Sequence, residues 1–155
     1  MAVFASPTYT QNQPANTGHG FNTSSVHMHA IATVPVGMTT NDTINFGYLP
    51  NNGVVVAVYL KAPTQLDSNG APTLTLSLGV TGTPLLFKSA VTTVGRAAGA
   101  TVDITNAPAG VLYKNVSGAK IAVVGTCSNV GATPVAGTLE VDIEFYVEDV
   151  VGSAP

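Results

Sequence analysis

Two histidines separated by one residue, His27 and His29, are the first candidates for chemistry in this sequence. On a β-strand both side chains would project from one face, about 6.5–7 Å apart. Zinc accepts imidazole nitrogen but needs at least three protein ligands, and no third ligand lies nearby in the sequence. We therefore expect no metal, but a pair of polar side chains on a solvated face opposite Val26, Met28 and Ala30. A metal site would need histidines from several subunits of a symmetric oligomer.

A second group of titratable residues, Glu140, Asp142 and Glu144, occupies alternate positions late in the sequence. Clustered carboxylates suit Ca²⁺, but carboxylates along a single strand diverge and do not surround an ion. The pattern therefore predicts a solvated strand face, opposed by Lys114 or Lys120 on a neighbouring strand.

Two further residues have chemical potential. Asp67 opens the run Asp-Ser-Asn-Gly, which resembles the start of a calcium-binding loop but lacks the later acidic ligand, so the run predicts a tight turn. Cys127 ends an apolar run over residues 121–127 and has no basic neighbour in sequence. A buried, unreactive thiol is therefore expected there.

The composition argues against several classes of protein. Three His, one Cys and eight Asp+Glu leave few groups for catalysis, and no nucleophile elbow, phosphate-binding loop, Cys-x-x-Cys pair or dinucleotide fingerprint occurs. Five unclustered Lys+Arg and a net charge of −3 do not suit nucleic acid. The longest apolar run, residues 54–60, is too short to span a bilayer. We expect no enzyme, no cofactor, no nucleic-acid partner, no membrane span and no secretory signal.

These residues are predicted to lie on β-strands and in the turns between them. Hydrophobic residues make up 45% of the chain and charged residues 8%, against about 25% charged residues in an average globular protein. Alternation is clearest over residues 139–147, where apolar and acidic side chains interleave. The other predicted strands cover residues 26–34, 43–49, 54–62, 73–80, 85–94, 100–105, 110–115 and 119–127.

Turn-forming residues separate these strands at short intervals that leave no room for crossover helices. Such spacing predicts an all-β, antiparallel β-sandwich, with a jelly roll as the expected topology. Residues 26–149 would form the sandwich domain, residues 1–25 an extended N-terminal arm, and residues 150–155 a short C-terminal tail.

The predicted arm differs from the rest of the chain. Residues 9–18 are polar, uncharged and aperiodic, while Phe4, Tyr9 and Phe21 are spaced like isolated anchors. Two interpretations stay open: a frayed terminus, and an extended segment that becomes ordered on a neighbouring molecule.

Residues 54–60 are apolar on both faces of their predicted strand, although a sandwich strand usually leaves one face to water. A loop, the arm or a second subunit must then cover the second face. We expect Val55, Ala57 and Tyr59 to lie near a subunit junction, because the shortage of charge removes the usual barrier to association.

Three runs carry a resemblance to a known group of proteins: NFGYLPNNGVVV over residues 45–56, LDSNGAPTLTLSLG over 66–79, and AGTLEV over 136–141. Together they resemble small structural proteins of tailed bacteriophages that are encoded near the capsid genes. The resemblance covers residues 43–147, and the turn that begins at Asp67 is its distinctive element.

The resemblance implies a head decoration, or cement, protein, a sandwich or jelly roll that binds the outside of an assembled capsid, often as a trimer. Such a protein would be made in the bacterial cytoplasm, bind the major capsid protein, form a homotrimer and act through buried contact area. In this interpretation Phe4, Tyr9 and Phe21 anchor the arm.

Two other functions stay open from the sequence. A tail-fibre or head-fibre module that recognises host carbohydrate would present exposed aromatic residues, but the chain has no Trp and its tyrosines are scattered. A tail tube or head-completion protein would have the same charge-poor β composition.

Overall fold

The computed structural model of this chain describes residues 3–5, 8–12, 25–97, 99–103 and 113–148. Every regular element in these ranges is a β-strand, and none of the described residues forms a helix suited to crossing a bilayer. The strands are β1 (Val3–Ala5), β2 (Thr8–Asn12), β3 (Val26–Val34), β4 (Thr43–Leu49), β5 (Gly53–Ala62), β6 (Thr75–Val80), β7 (Thr83–Val91), β8 (Ala100–Asp103), β9 (Ile121–Asn129) and β10 (Gly137–Val147).

The strands form two sheets of five, in the orders β1-β4-β9-β6-β7 and β2-β3-β10-β5-β8. Neighbouring strands are antiparallel, apart from β1, which pairs in parallel with β4. From β3 to β10 the chain builds the orders β3-β10-β5-β8 and β4-β9-β6-β7, which are those of a jelly roll. The predicted all-β sandwich is confirmed.

Most predicted strand boundaries are close to the observed ones. β3 and β4 match the predicted ranges 26–34 and 43–49, because buried apolar residues recur at every second position over most of each strand. The predicted strand over residues 110–115 lies partly outside the described residues, and in its described part Lys114 makes an isolated bridge to Val54.

Aromatic side chains fill the space between the two sheets. Phe46 of β4, Phe87 of β7 and Phe145 of β10 are each almost completely buried, and burial of such a side chain stabilises the fold by about 1.5–3 kcal/mol. A methyl group on Gly125 would lie 2.8 Å from Cε2 of Phe46. Glycine at this position therefore lets the Phe46 ring cross β9 closely.

A β-bulge changes the faces of β5. The register of β10 against β5 shifts between Glu144 and Phe145, so that Phe145 faces Val55 and Glu144 faces Ala57. Val55 therefore packs in the core, as Val58 does further along the strand. Strict alternation would have placed Val55 on the same face as Ala57 and Tyr59, whereas the bulge turns Val55 into the core. The expected place of these three residues near a subunit junction stays a prediction.

One end of the sandwich, which we call the Asp67 end, consists of the connections over residues 35–42, 63–74, 92–97 and 130–136. The Asp67 side chain is fully buried there. Its carboxylate accepts hydrogen bonds from five backbone N–H groups, those of Asn69 (3.3 Å), Thr73 (2.7 Å), Leu74 (3.1 Å), Ala132 (3.0 Å) and Thr133 (2.9 Å). Asp67 thus ties the β5–β6 connection to the β9–β10 connection.

The opposite end, which we call the Asn115 end, consists of residues 50–52, 81–82 and 113–120. The Asn115 side chain is fully buried, and its Nδ2 donates to the carbonyl oxygens of Leu49 (3.2 Å), Pro50 (3.0 Å) and Ala119 (2.7 Å). Its Oδ1 accepts from the backbone N–H (3.1 Å) and the hydroxyl (2.7 Å) of Ser117. A single amide therefore organises this set of turns.

Candidate functional site

The outer face of the sheet that contains β3, β10 and β5 carries a band of charged and polar side chains, which we call the polar face. Its rows follow from the register, in which His29, Asp142 and Tyr59 are neighbours across three strands. His27 and Glu144 are paired in the next row. Val26, Met28 and Ala30 lie on the opposite, buried face of β3, as the alternation predicts.

His29 already has a partner on this face. Its Nδ1 lies 2.6 Å from Oδ1 of Asp142, and both side chains are about half exposed. Because the pair is well solvated, it contributes little to stability, about 0.2–1 kcal/mol. Within the described residues, no three His, Cys, Asp or Glu side chains approach closely enough to hold a metal ion together. The geometry of this face is that of a solvated surface.

The lysine nearest to the carboxylates of β10 is not one of those predicted. Lys61 Nζ lies 3.7 Å from Oε2 of Glu140. The prediction that Lys114 or Lys120 opposes this row is wrong, because both residues lie in the segment that precedes β9, and not on a strand beside β10.

Those two lysines contact other groups near the Asn115 end. Lys114 Nζ lies 2.5 Å from Oε2 of Glu148, and this hydrogen bond lowers the pKa of the Glu148 carboxyl. Lys120 Nζ lies 4.6 Å from the ring centroid of Tyr48, an arrangement that favours a cation–π interaction.

The outer face of the other sheet is nearly free of charge. In the strands of that sheet, Lys88 of β7 is the sole charged residue within the described range. The paired positions on β4 and β9 carry neutral side chains, such as Asn45 opposite Val124 and Tyr48 opposite Ala122. The two faces of the sandwich therefore offer a partner different chemistry.

Cys127 has the surroundings of a structural thiol. It is fully buried, and burial, followed by the negative charge of Asp42, raises its pKa. A thiol with a raised pKa is a poor nucleophile near neutral pH. The predicted burial is confirmed.

The predicted contact residues occupy different environments. Ala57 is buried, with 5% of its surface exposed to solvent, whereas Tyr59 on the polar face is 39% exposed. Phe4 lies in β1 and Tyr9 in β2, while Phe21 is outside the described residues. The role of residues 1–25 as an arm that contacts a neighbour stays a prediction.

Sequence reasoning missed three exposed apolar side chains. Val36 and Val116 lie in connections at opposite ends of the sandwich, and Leu85 lies on β7, at the edge of its sheet. Val116 keeps 75% of its surface exposed. The sequence contains a signal for such residues, namely a single large aliphatic residue within a run of turn-forming residues. Val116 in the run Asn-Val-Ser-Gly is an example.

The exposed tyrosines do not form one aromatic platform. Tyr48 (42% exposed) and Tyr59 (39% exposed) lie on different sheets. Tyr113 packs edge-on against Phe87, with ring centroids 6.1 Å apart. Carbohydrate sites usually gather their aromatic side chains, so this distribution gives the predicted carbohydrate-binding alternative no support among the described residues.

Two solved structures are similar to this chain. A chain of the capsid asymmetric unit of cyanophage Pam1 has a TM-score of 0.70 and 28% sequence identity, over 88% of this chain and 94% of its own. A chain of the capsid of Ralstonia phage GP4 has a TM-score of 0.68 and 23% identity, over 99% of this chain and 100% of its own. At this level of identity, the similarity to the GP4 chain shows a shared fold and nothing more. No protein-family model matches the chain, and no curated protein gives a significant match.

Proposed function

We propose that this chain is a virion structural protein that binds the outside of a phage capsid and stabilises it through subunit contacts, as a head decoration protein does. The observation that carries the proposal is the similarity to the Pam1 capsid chain, which extends over 88% of this chain at 28% identity. A second phage capsid chain shares the fold over 99% of the present one.

The chemistry of the described residues is consistent with a role in contact. On the polar face His29 contacts Asp142 and Lys61 lies near Glu140, and the Cys127 thiol is buried. The exposed side chains of the protein include large apolar residues at both ends of the sandwich, Val36 and Val116. A surface of this kind is suited to adhesion.

The area that such contacts require is available. The chain has an accessible surface of 7937 Å², and a standard interface buries about 800 Å² on each partner. One contact with the major capsid protein and one with each of two identical subunits would together use about a third of that surface. Several modest contacts then reinforce one another, because each contact raises the effective concentration for the next.

In this proposal the partners are the major capsid protein and two further copies of the chain. Tyr59, supported by Ala57, would lie at a junction on the polar face, and Val55 would contribute only by positioning β5 from the core. Phe4, Tyr9 and Phe21 of the arm would anchor further contacts. The chain would be made in the bacterial cytoplasm and end on the capsid exterior.

The proposal is tested by sedimentation with phage heads that lack the protein. The purified chain should sediment with expanded heads in a saturable manner and should have three times the 15.7 kDa chain mass in light scattering. Failure to sediment at micromolar concentrations, together with a strictly monomeric mass, would contradict it.

Two matched tyrosines test the assignment of the contact face. Tyr59→Ala should weaken head binding about tenfold, which corresponds to about 1.4 kcal/mol. Tyr48→Ala is the control, because Tyr48 is similarly exposed but lies on the opposite sheet. Equal losses from the two variants would remove the assignment of Tyr59, though not the proposed function.

A further inference from the structure

The first two strands cover one open side of the sandwich. β1 pairs with β4 and β2 pairs with β3, and without these pairings β3 and β4 would be the edge strands of their sheets. Residues 6–7 alone separate β1 from β2, so the two strands form a unit that reaches both sheets. Open edges attract foreign strands because their backbone N–H and C=O groups are unpaired.

The connection from this unit to the sandwich is much longer than the pairing needs. Asn12 pairs with His27, yet residues 13–25 separate β2 from β3, which is thirteen residues. Neighbouring antiparallel strands are commonly joined by about two to five residues. Thirteen extended residues reach roughly 45 Å, which is comparable with the roughly 40 Å width of a domain of this size.

From this arrangement we propose that β1 and β2 are exchanged between subunits, so that each copy lays its strands on β4 and β3 of a neighbour. The hydrogen bonds are the same within one chain and between chains, since they join the same backbone positions. Subunits held in one oligomer present their edges at high effective concentration, so exchange competes with pairing within one chain.

The exchange would close the oligomer without any new side-chain chemistry. Each copy donates one pair of strands and receives another, so every copy has both edges covered. The inference rests on the homotrimer of the proposed function, but it concerns which chain supplies the strands and can be measured in the free protein.

Paired cysteines distinguish exchange from pairing within one chain. Thr10 and His29 are direct partners in the β2–β3 register, and cysteines at paired positions of adjacent strands lie within disulfide reach. The test uses Thr10→Cys with His29→Cys in a Cys127→Ser background, oxidised at micromolar concentration and separated by non-reducing electrophoresis. The matched control is Ile31→Cys with Glu140→Cys, partners in β3 and β10 within the sandwich.

The proposal predicts covalent species at two and three times the chain mass for the Thr10–His29 pair, which disappear on reduction, while the control stays at the mass of one chain. Mixing the two single-cysteine variants, Thr10→Cys and His29→Cys, should also give a heterodimer. A Thr10–His29 disulfide confined to one chain would overturn the exchange, and free thiols in both positions would overturn the pairing itself. Head binding by a variant whose disulfide stays within one chain would leave the proposed function standing and remove the exchange alone.

Discussion

The two ends of the sandwich are held by buried side chains of nearly the same shape but opposite hydrogen-bonding character. At the Asp67 end the connections direct five backbone N–H groups at one carboxylate. At the Asn115 end the turns present three carbonyl oxygens, which require a donor, and an amide provides it. The polarity of the converging backbone thus determines which side chain fits.

The comparison also shows what becomes of charge in a charge-poor chain. Burial by itself would raise the pKa of Asp67, but the backbone N–H groups of Thr133, Leu74, Thr73 and Asn69 outweigh it and hold the pKa well below its usual range. Asp67 is therefore ionised in the folded protein and carries a full negative charge inside it. Among the described residues, each end thus has several connections tied to one buried side chain.

The largest effect is expected from Asp67→Asn. The amide would place an N–H donor against N–H donors and remove the charge from the remaining hydrogen bonds, each worth about 1.5–3 kcal/mol when one partner is ionised. We expect a loss of about 4 kcal/mol in the free energy of unfolding, which chemical denaturation would measure. A loss below about 1 kcal/mol would show that the carboxylate does not organise this end.

The reciprocal change, Asn115→Asp, should cost slightly less. Its new oxygen would face the carbonyl oxygens of Leu49, Pro50 and Ala119, and a protonated carboxyl would recover one of those hydrogen bonds. We expect a loss of about 3 kcal/mol at neutral pH. Denaturation at pH 4 should show a smaller loss, because protonation is easier there; an equal loss at both pH values would contradict the proposed geometry.

The two ends should also differ in their response to acid. Asp67 has a folded pKa below its unfolded value of about 3.9, so its contribution to stability is complete above that value and is lost as the pH falls towards the folded pKa. Below about pH 4 the wild type should lose about 1.4 kcal/mol per pH unit through this group. Asp67→Asn should lack this component, and parallel acid profiles for the two proteins would contradict the assignment.

The smallest effect is expected on the polar face, where charge is solvated. Asp142→Asn removes the carboxylate that contacts His29, but both side chains are about half exposed. We expect a change of about 0.5 kcal/mol in the free energy of unfolding, and less at high salt. A loss as large as that of Asp67→Asn would erase the distinction between buried and solvated charge.

Local patterns predicted much of the fold. The alternation around Met28 and Ile143 places these residues in the core, because the side-chain period of a strand depends only on the strand itself. The sequence did not predict that Asp67 joins two connections. It indicates a turn at Asp67, but it does not show that the backbone N–H groups of Ala132 and Thr133, in the β9–β10 connection, donate hydrogen bonds to this carboxylate.

Features of register were also beyond the sequence. The bulge that turns Val55 inward arises from the pairing of β5 with β10, and the lysine that meets Glu140 is set by which strand lies beside β10. A one-residue shift in register reverses the face of every following side chain. Surface residues that contact a partner can therefore be assigned only when the pairing and register of the strands are known.

A map of the intact phage particle at side-chain resolution would locate this chain in the virion. We expect a jelly roll on the outer surface of the capsid shell, in contact with the major capsid protein and with copies of itself. The absence of this chain from the shell, or its presence only in the tail, would contradict the proposed function.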